Sequence, residues 1–304
     1  MALAILLPSM ASYTLIDPWE THYAEVARRI LENNDWVHLR AEDASFRSKP
    51  ALTFWLIAAS LKAFGIATDG GYSGEFVANT WTVFAIRLPF VLCAVMGLSV
   101  LWSMLAKLVN RRVAWITFLV LVTCPFFFMV ARQSITDMPM VATLISALSC
   151  YALAIHAGDD EIKPFWKRVT ALHVFLGVCL LLVAGQLFYL FYYFMSAHPG
   201  VARGVKVNPG MLLWPLLVVL VVWLVSLVPS WKWPLGPKKG KRISIRTFPV
   251  STKRQLYMFW FFFFMGISVL AKGPPGIALA GLVCMLYTLI TGQWKLLLRL
   301  ELLR

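Results

Sequence analysis

The chain has 304 residues, of which 60% are hydrophobic and only 14% are charged, and its mean hydropathy is +0.74. An average soluble domain is about 45–50% apolar and about 25% charged. This composition excludes an ordinary soluble protein, because a chain this apolar could not bury enough of its hydrophobic surface away from water. It also excludes a disordered protein. The net charge of +14 has to be tested against membrane topology before any nucleic-acid partner is considered.

Residues 1–16 are apolar, but they are shorter than the roughly 20 residues that a spanning helix needs. They contain Pro8 and lack the basic start of a signal peptide. The segment is therefore predicted to be the remainder of a first spanning helix.

Residues 17–80 hold nine of the 14 acidic residues, and we expect them to form the first outward loop. A helix should begin near Asp17 and end near Asn33, lying along the membrane surface. Its apolar face has helical spacing: Tyr23, Val26, Ala27, Ile30 and Leu31. Its polar face carries Glu25, Arg28, Arg29 and Glu32.

Two compatible interpretations apply to the first acids of this loop. Asp17 at the N-cap, Pro18 at N1 and Glu20 at N3 would form a capping-box arrangement. Alternatively, one of the two carboxylates faces a cavity and acts as a general base.

Two cations, Arg47 and Lys49, precede an apolar run at 51–65 that contains Lys62. The run is too short for a span and is predicted to be an interfacial helix. Cations at headgroup depth suit a lipid phosphate, although they could also extend to generic headgroups.

The remaining apolar runs predict spanning helices, which bring the total to about eight; they lie at 84–105, 114–130, 138–155, 172–197, 211–228, 256–270 and 277–290. With the first loop outside, the short cytoplasmic connections contain 17 basic residues and the opposite ones contain 4. This asymmetry fixes the orientation and accounts for most of the positive charge without nucleic acid.

Polar residues interrupt the apolar pattern at two further outward positions. One segment, 132–139, contains Arg132 and Asp137, and the other, 271–276, contains Lys272 before a Gly/Pro turn. Ionisable groups at such depth are costly and usually mark a site, although the second segment could be a simple helix-hairpin turn. With the first loop, these segments are predicted to line one outward cavity.

A metal site is a weaker hypothesis. Asp17, Glu20 and His22 are residue types that bind metals, which leaves a divalent metal as an option. No cofactor follows with certainty from the sequence.

Several segments resemble a known family. Residues 17–28 (DPWETHYAEVAR), 35–36 (DW) and 48–55 (SKPALTFW) resemble the first periplasmic loop of bacterial GT-C glycosyltransferases. The superfamily is that of the protein O-mannosyltransferases and lipid A aminoarabinose transferases, similar to glycosyltransferase family 39. Residues 132–139 and 270–274 resemble its second outward loop and a later Lys-Gly motif.

The resemblance implies an all-α polytopic bundle of the GT-C type with juxtamembrane helices in the first loop. It implies hexosyl or pentosyl transfer from a polyprenyl-phosphate donor to a lipid, protein or glycan acceptor, on the periplasmic face of a bacterial inner membrane. The resemblance carries over Glu20, Lys49, Asp137 and Lys272. Together with the analysis of the residues, it predicts three groups: Asp17, Glu20 and Asp137 in catalysis; Arg47, Lys49, Arg132 and Lys272 on the donor phosphate; and His22 and Tyr23 on the substrate.

Three positions depart from the family pattern. Trp19 replaces the first acid of the pair, with Asp17 as a substitute; Ser48 stands where relatives often have Glu; and His22 replaces an Arg. We predict a single transmembrane domain over residues 1–304, with an inserted helix pair and basic cytoplasmic loop at 171–254. The resemblance also implies that a C-terminal part is lacking.

The alternative from another functional class is a lipid or solute transporter. It predicts ionisable residues near the middles of spans and internal repeats. The polar residues here gather instead at the outer ends of spans, which favours the transferase. A non-catalytic scaffold would not need cations and carboxylates from three connections on one side.

Overall fold

The structure is a computed structural model that describes residues 1–41, 44–46, 48–66, 68, 76, 79–157 and 252–292. Arg47, the two predicted spans at 172–197 and 211–228, and most of the predicted insertion at 171–254 lie outside the described residues. Nearly all described residues belong to one compact unit, formed by Met1–Ala157 and Tyr257–Arg304.

Helices dominate the described part of the chain, in agreement with the predicted all-α fold. In chain order they are α1 (Ala2–Leu6), α2 (Trp19–Glu32), α3 (Leu52–Ala63), α4 (Thr80–Leu108), α5 (Arg111–Thr123), α6 (Pro125–Ala131), α7 (Asp137–His156), α8 (Lys253–Lys272) and α9 (Pro275–Thr291). A short antiparallel ribbon, β1 (Arg40–Ala41) and β2 (Ala44–Ser45), lies between α2 and α3.

Three of these helices, α4, α7 and α8, are long and apolar enough to cross a membrane, and the bent pair α5–α6 gives a fourth if it is counted as one span. The helices predicted at 84–105, 138–155 and 256–270 are thereby confirmed. The helix predicted at 277–290 is present as α9, with 17 residues, and the interfacial run at 51–65 contains the 12-residue helix α3.

The prediction of one continuous span at 114–130 is wrong. The helix stops at Thr123 and restarts at Pro125, and the two pieces meet at a bend of 69°. Proline has no N–H to donate and disfavours helical geometry in the residue before it. Cys124 accordingly adopts a ψ of 121°.

The prediction of a helix through residues 1–16 is also wrong, because only Ala2–Leu6 is helical. Pro8 interrupts the run. Further on, the carbonyls of Met10, Tyr13 and Thr14 accept hydrogen bonds from the side chain of Arg87. The segment nevertheless belongs to the core, since Leu6 and Met10 are buried.

Helix α2 follows its predicted bounds at the C-terminal end, where it ends at Glu32 with Asn33 as C-cap. Its predicted apolar face is largely correct, but two members of the predicted polar face are not at the surface. Glu25 and Arg28 are buried because they pair with each other, and Arg28 also donates to the carbonyl of Thr68 at 3.1 Å.

Helices α4 and α7 pack closely against each other. A Cβ atom added to Gly97 in α4 would lie 3.0 Å from the Cα atom of Ala142 in α7. The backbones therefore approach each other where neither side chain is large, as is common between membrane helices.

Replacing Gly97 by leucine is expected to lower the thermal unfolding temperature in detergent, because the added atoms have no space. Overpacking a tight contact typically costs about 1–3 kcal/mol. Gly281→Leu is the matched control, since a Cβ at Gly281 in α9 meets nothing within 4 Å. Equal unfolding temperatures for the two variants would contradict the packing described here.

Candidate active site

Four segments that are distant in the sequence contact one another at one end of the helix bundle. The backbone amide of Ser134, in the loop before α7, donates to Oε1 of Glu20 in α2 at 2.8 Å. The ammonium of Lys272, at the end of α8, donates to Oδ1 of Asp137 at 2.5 Å. The segment before α3 is also close, since a Cβ built on Gly273 would lie 3.9 Å from Cγ of Pro50.

Glu20 is at the centre of this end of the bundle. Its carboxylate forms an ion pair with Arg87 in α4, and the two side chains are 1% and 0% exposed. Besides two hydrogen bonds from Arg87, at 3.0 and 2.6 Å, it accepts from the amide of Ile16 and from the amide and hydroxyl of Ser134. A carboxylate has about four lone-pair positions, so Glu20 has no free acceptor position for a substrate proton.

The predicted capping arrangement is wrong in detail. Helix α2 begins at Trp19 with Pro18 as N-cap, and no side chain caps it. The carboxylate of Glu20 turns toward the buried guanidinium of Arg87, because a buried charge needs a counter-charge more than a helix end needs a cap.

Asp17 differs from Glu20 in exposure and in partners. It is exposed, and its Oδ1 accepts the hydroxyl of Thr21 at 2.8 Å. Among the described residues, its Oδ2 has no hydrogen-bond donor. Asp17 is thus the acid of the pair that can receive a proton from a bound molecule.

Tyr23 lies beside the second outward loop. It is buried and packs edge-on against Phe54, with ring centroids 5.3 Å apart. Burial and the charge of Asp137 raise the pKa of Tyr23, and a hydrogen bond with Thr136 opposes the shift only in part. The phenol therefore stays protonated at neutral pH.

His22 occupies the next position on α2 and is exposed. Its ring lies 5.1 Å from that of Phe46, centroid to centroid. His22 and Tyr23 thus stand at the same end of α2 as Asp17.

The cations predicted to bind phosphate fall in different surroundings. Lys49 is half-buried, directly before Pro50, and its ammonium has no ion pair within the described ranges. Arg132 is buried and faces the N-terminal segment, where it donates to the carbonyl of Pro8 at 2.7 Å and lies 4.6 Å above the ring of Phe128.

The described part of the chain contains no group of three or more His, Cys, Asp and Glu side chains that could hold a metal ion. The set weighed from the sequence, Asp17, Glu20 and His22, is not assembled as a metal site there. Glu20 is already satisfied by Arg87, Ile16 and Ser134.

Sequence reasoning missed Arg87. It lies within the predicted span at 84–105, and its side chain is fully buried. An arginine inside an apolar run is costly unless it is paired, so its presence there was the indication. Nothing in the local sequence pointed to its partner 67 residues earlier.

A bundle of membrane-spanning helices with an acid–lysine pair at one end agrees with the predicted GT-C glycosyltransferase. The family described as dolichyl-phosphate-mannose-protein mannosyltransferase matches residues 48–233, more than half of the chain. The chain belongs to this family. The match gives no support to the transporter alternative.

Curated relatives of the chain include proteins named undecaprenyl phosphate-alpha-4-amino-4-deoxy-L-arabinose arabinosyl transferase. The protein from Erwinia tasmaniensis is 28% identical over 158 residues, which are 52% of this chain and 26% of the relative. The second such protein from Sodalis glossinidius is 26% identical over 171 residues, which are 56% of this chain and 26% of the relative. The matched region therefore spans about a quarter of the length of these relatives.

The fold resembles that of ArnT from Cupriavidus metallidurans in two crystal structures, one apo and one bound to undecaprenyl phosphate. The TM-score is 0.60 in both cases at 20% identity. The alignment covers 99% of this chain and 37% of the apo ArnT chain, or 36% of the ligand-bound one. This similarity confirms the predicted GT-C fold.

Proposed function

We propose that this protein transfers a sugar from a polyprenyl-phosphate donor to an acceptor at the outward face of a bacterial inner membrane. The observation that carries the proposal is a set of contacts between distant segments. Glu20, three residues after Asp17, binds the loop before the Asp137–Lys272 pair, and Pro50, next to Lys49, lies near Gly273. The names of the relatives favour an undecaprenyl-phosphate-linked aminopentose as donor. The resemblance to lipid A aminoarabinose transferases favours a lipid acceptor over a protein or a glycan.

The proposed reaction is a single displacement at the anomeric carbon of the sugar. The acceptor oxygen forms a bond to this carbon while the bond from the carbon to the phosphate oxygen breaks. The electron pair of the broken bond leaves on the polyprenyl phosphate. The proton of the acceptor hydroxyl passes to the carboxylate of Asp17, which acts as general base.

The departing phosphate gains negative charge, so cations fixed nearby lower the barrier. Lys272 and Lys49 are proposed for this role. Asp137 holds the Lys272 ammonium in place, and the neutral phenol of Tyr23, close to Asp137, can donate a hydrogen bond to the sugar or its phosphate. Arg47 and Arg132 remain proposed phosphate contacts. Arg132 is a weaker candidate than the two lysines, because its guanidinium already donates to the carbonyl of Pro8.

The location follows from the same chemistry. Lipid tails of the donor stay in the bilayer, while its sugar reaches water at the ends of α2, α7 and α8. The excess of basic residues in the opposite connections supports a periplasmic position for this end.

The proposal is tested with the purified chain in proteoliposomes, supplied with a radiolabelled undecaprenyl-phosphate aminopentose and a lipid A acceptor. Labelled acceptor is the expected product, and the corresponding nucleotide-sugar should give none. Transfer from the nucleotide-sugar, or no transfer from any of a panel of polyprenyl-phosphate sugars, would overturn the proposal. Protein and glycan acceptors in parallel reactions decide the acceptor class.

A further inference from the structure

Arg87 uses every N–H group of its guanidinium. An arginine side chain has five such donors in a fixed planar fork. Nε and Nη2 donate to the two oxygens of Glu20, at 3.0 and 2.6 Å. Nη1 donates to the carbonyls of Met10 and Tyr13, and Nη2 donates also to the carbonyl of Thr14.

We propose that Arg87 is a positioning residue for sugar transfer, which fixes the segment carrying Asp17 relative to the loop carrying Asp137. This inference rests on the proposed function. The reason is that one buried ion pair, Arg87–Glu20, joins the Asp17 segment and the loop before α7 to the spanning helix α4.

The first link runs to the Asp17 segment. The carbonyls of Tyr13 and Thr14 accept from Arg87, and the amide of Ile16 donates to Oε2 of Glu20 at 2.9 Å. Both members of the ion pair therefore hold the backbone immediately before Asp17: Arg87 through two carbonyls, and Glu20 through the amide of Ile16.

The second link runs to the loop before α7. Oε1 of Glu20 accepts both the Nε–H of Arg87 and the amide of Ser134. The hydroxyl of Ser134 adds a third hydrogen bond to the same oxygen at 3.1 Å. Asp137 follows three residues later as the first residue of α7.

Lysine cannot replace this arrangement. Its ammonium has three donors and no planar fork, so it cannot satisfy three carbonyls and both carboxylate oxygens together. A variant with lysine retains the charge but releases part of the backbone. Misplacement of a reacting group by about 1 Å can reduce the rate about 100-fold.

Helix α2, which carries Glu20, also contains a second buried ion pair that serves as a matched control. Arg28 and Glu25 are also buried and joined by two hydrogen bonds, at 2.8 and 3.0 Å. Burial alone would raise the pKa of Glu25, but the hydrogen bonds from Arg28 and Arg29 lower it. This pair contacts Thr68 and has no described hydrogen bond to the segments at 10–17 or 132–137.

The experiment compares Arg87→Lys with Arg28→Lys at equal amounts of folded protein. We expect Arg87→Lys to lower kcat for transfer about 10- to 100-fold, with the KM for the donor changed less than about threefold, and Arg28→Lys to leave both near wild type. Ser134→Ala, which removes only the hydroxyl link, should lower kcat by a smaller factor. Unchanged kcat in Arg87→Lys, or equal losses in both arginine variants, would overturn the inference.

A second measurement does not depend on activity. Hydrogen exchange followed by mass spectrometry should show faster exchange at the amides of Ile16 and Ser134 in Arg87→Lys but not in Arg28→Lys. If Arg87→Lys does not fold, the exchange rates of residues 132–136 are compared between Ser134→Ala and Arg28→Lys instead. Absent transfer by the wild type would defeat the proposed function alone, whereas unchanged exchange in the Arg87 variant would defeat the positioning role.

Discussion

Replacing Asp17 by asparagine should reduce sugar transfer about 100-fold or more while leaving donor binding intact. General-base catalysis typically contributes about 10²–10⁴-fold, and an amide cannot take the acceptor proton. The shape of the side chain is retained, and the hydrogen bond from Thr21 can still be made to the amide oxygen.

The measurement is the initial rate of transfer at saturating donor, beside a binding assay with undecaprenyl phosphate. Asp35→Asn is the control, because Asp35 lies beyond the other end of α2, where its carboxylate accepts the amides of Val37 and His38. An Asp17→Asn variant with wild-type kcat would remove Asp17 from the mechanism.

Replacing Lys272 by alanine should weaken binding of undecaprenyl phosphate about 10- to 100-fold. A hydrogen bond to a charged group contributes about 1.5–3 kcal/mol, and the variant also leaves the carboxylate of Asp137 without its partner. That unpaired negative charge repels the phosphate. Lys272→Arg, which keeps the charge, should lose much less.

Binding can be measured by the rise in unfolding temperature as donor phosphate is added. Lys62→Ala is the control, since Lys62 lies on α3 over the ring of Trp36, 5.9 Å from its centroid, and has no described contact with the site. Lys49→Ala should also weaken the binding of undecaprenyl phosphate. If both lysine variants bind undecaprenyl phosphate like the wild type, neither lysine is a phosphate ligand.

The spanning helices could be predicted because hydropathy is a property of each segment by itself. The prediction failed where a contact between distant segments decides the structure. Residues 10–14 do not continue a helix, because their carbonyls bind Arg87. Glu25 and Arg28 have the residue types of a solvated face, yet pairing lets them be buried.

The candidate site, like the fold, could be predicted from the sequence only in part. Motif resemblance brought Asp17, Asp137 and Lys272 into one hypothesis, and the structure places the last two in direct contact. It could not tell Asp17 from Glu20, because both are acids at the start of one helix. The difference comes from Arg87, whose position is known only once α4 is packed against the N-terminal segment.

The five-residue stretch 132–136 is tethered at two points, by Arg132 to the carbonyl of Pro8 and by Ser134 to Glu20. These two hydrogen bonds hold the stretch against the N-terminal segment and against the start of α2. Asp17 and Trp19 remain exposed beside the buried Glu20, Trp19 to 58%. An acceptor bound at the proposed base, Asp17, is therefore expected to have an indole ring within reach as a contact surface.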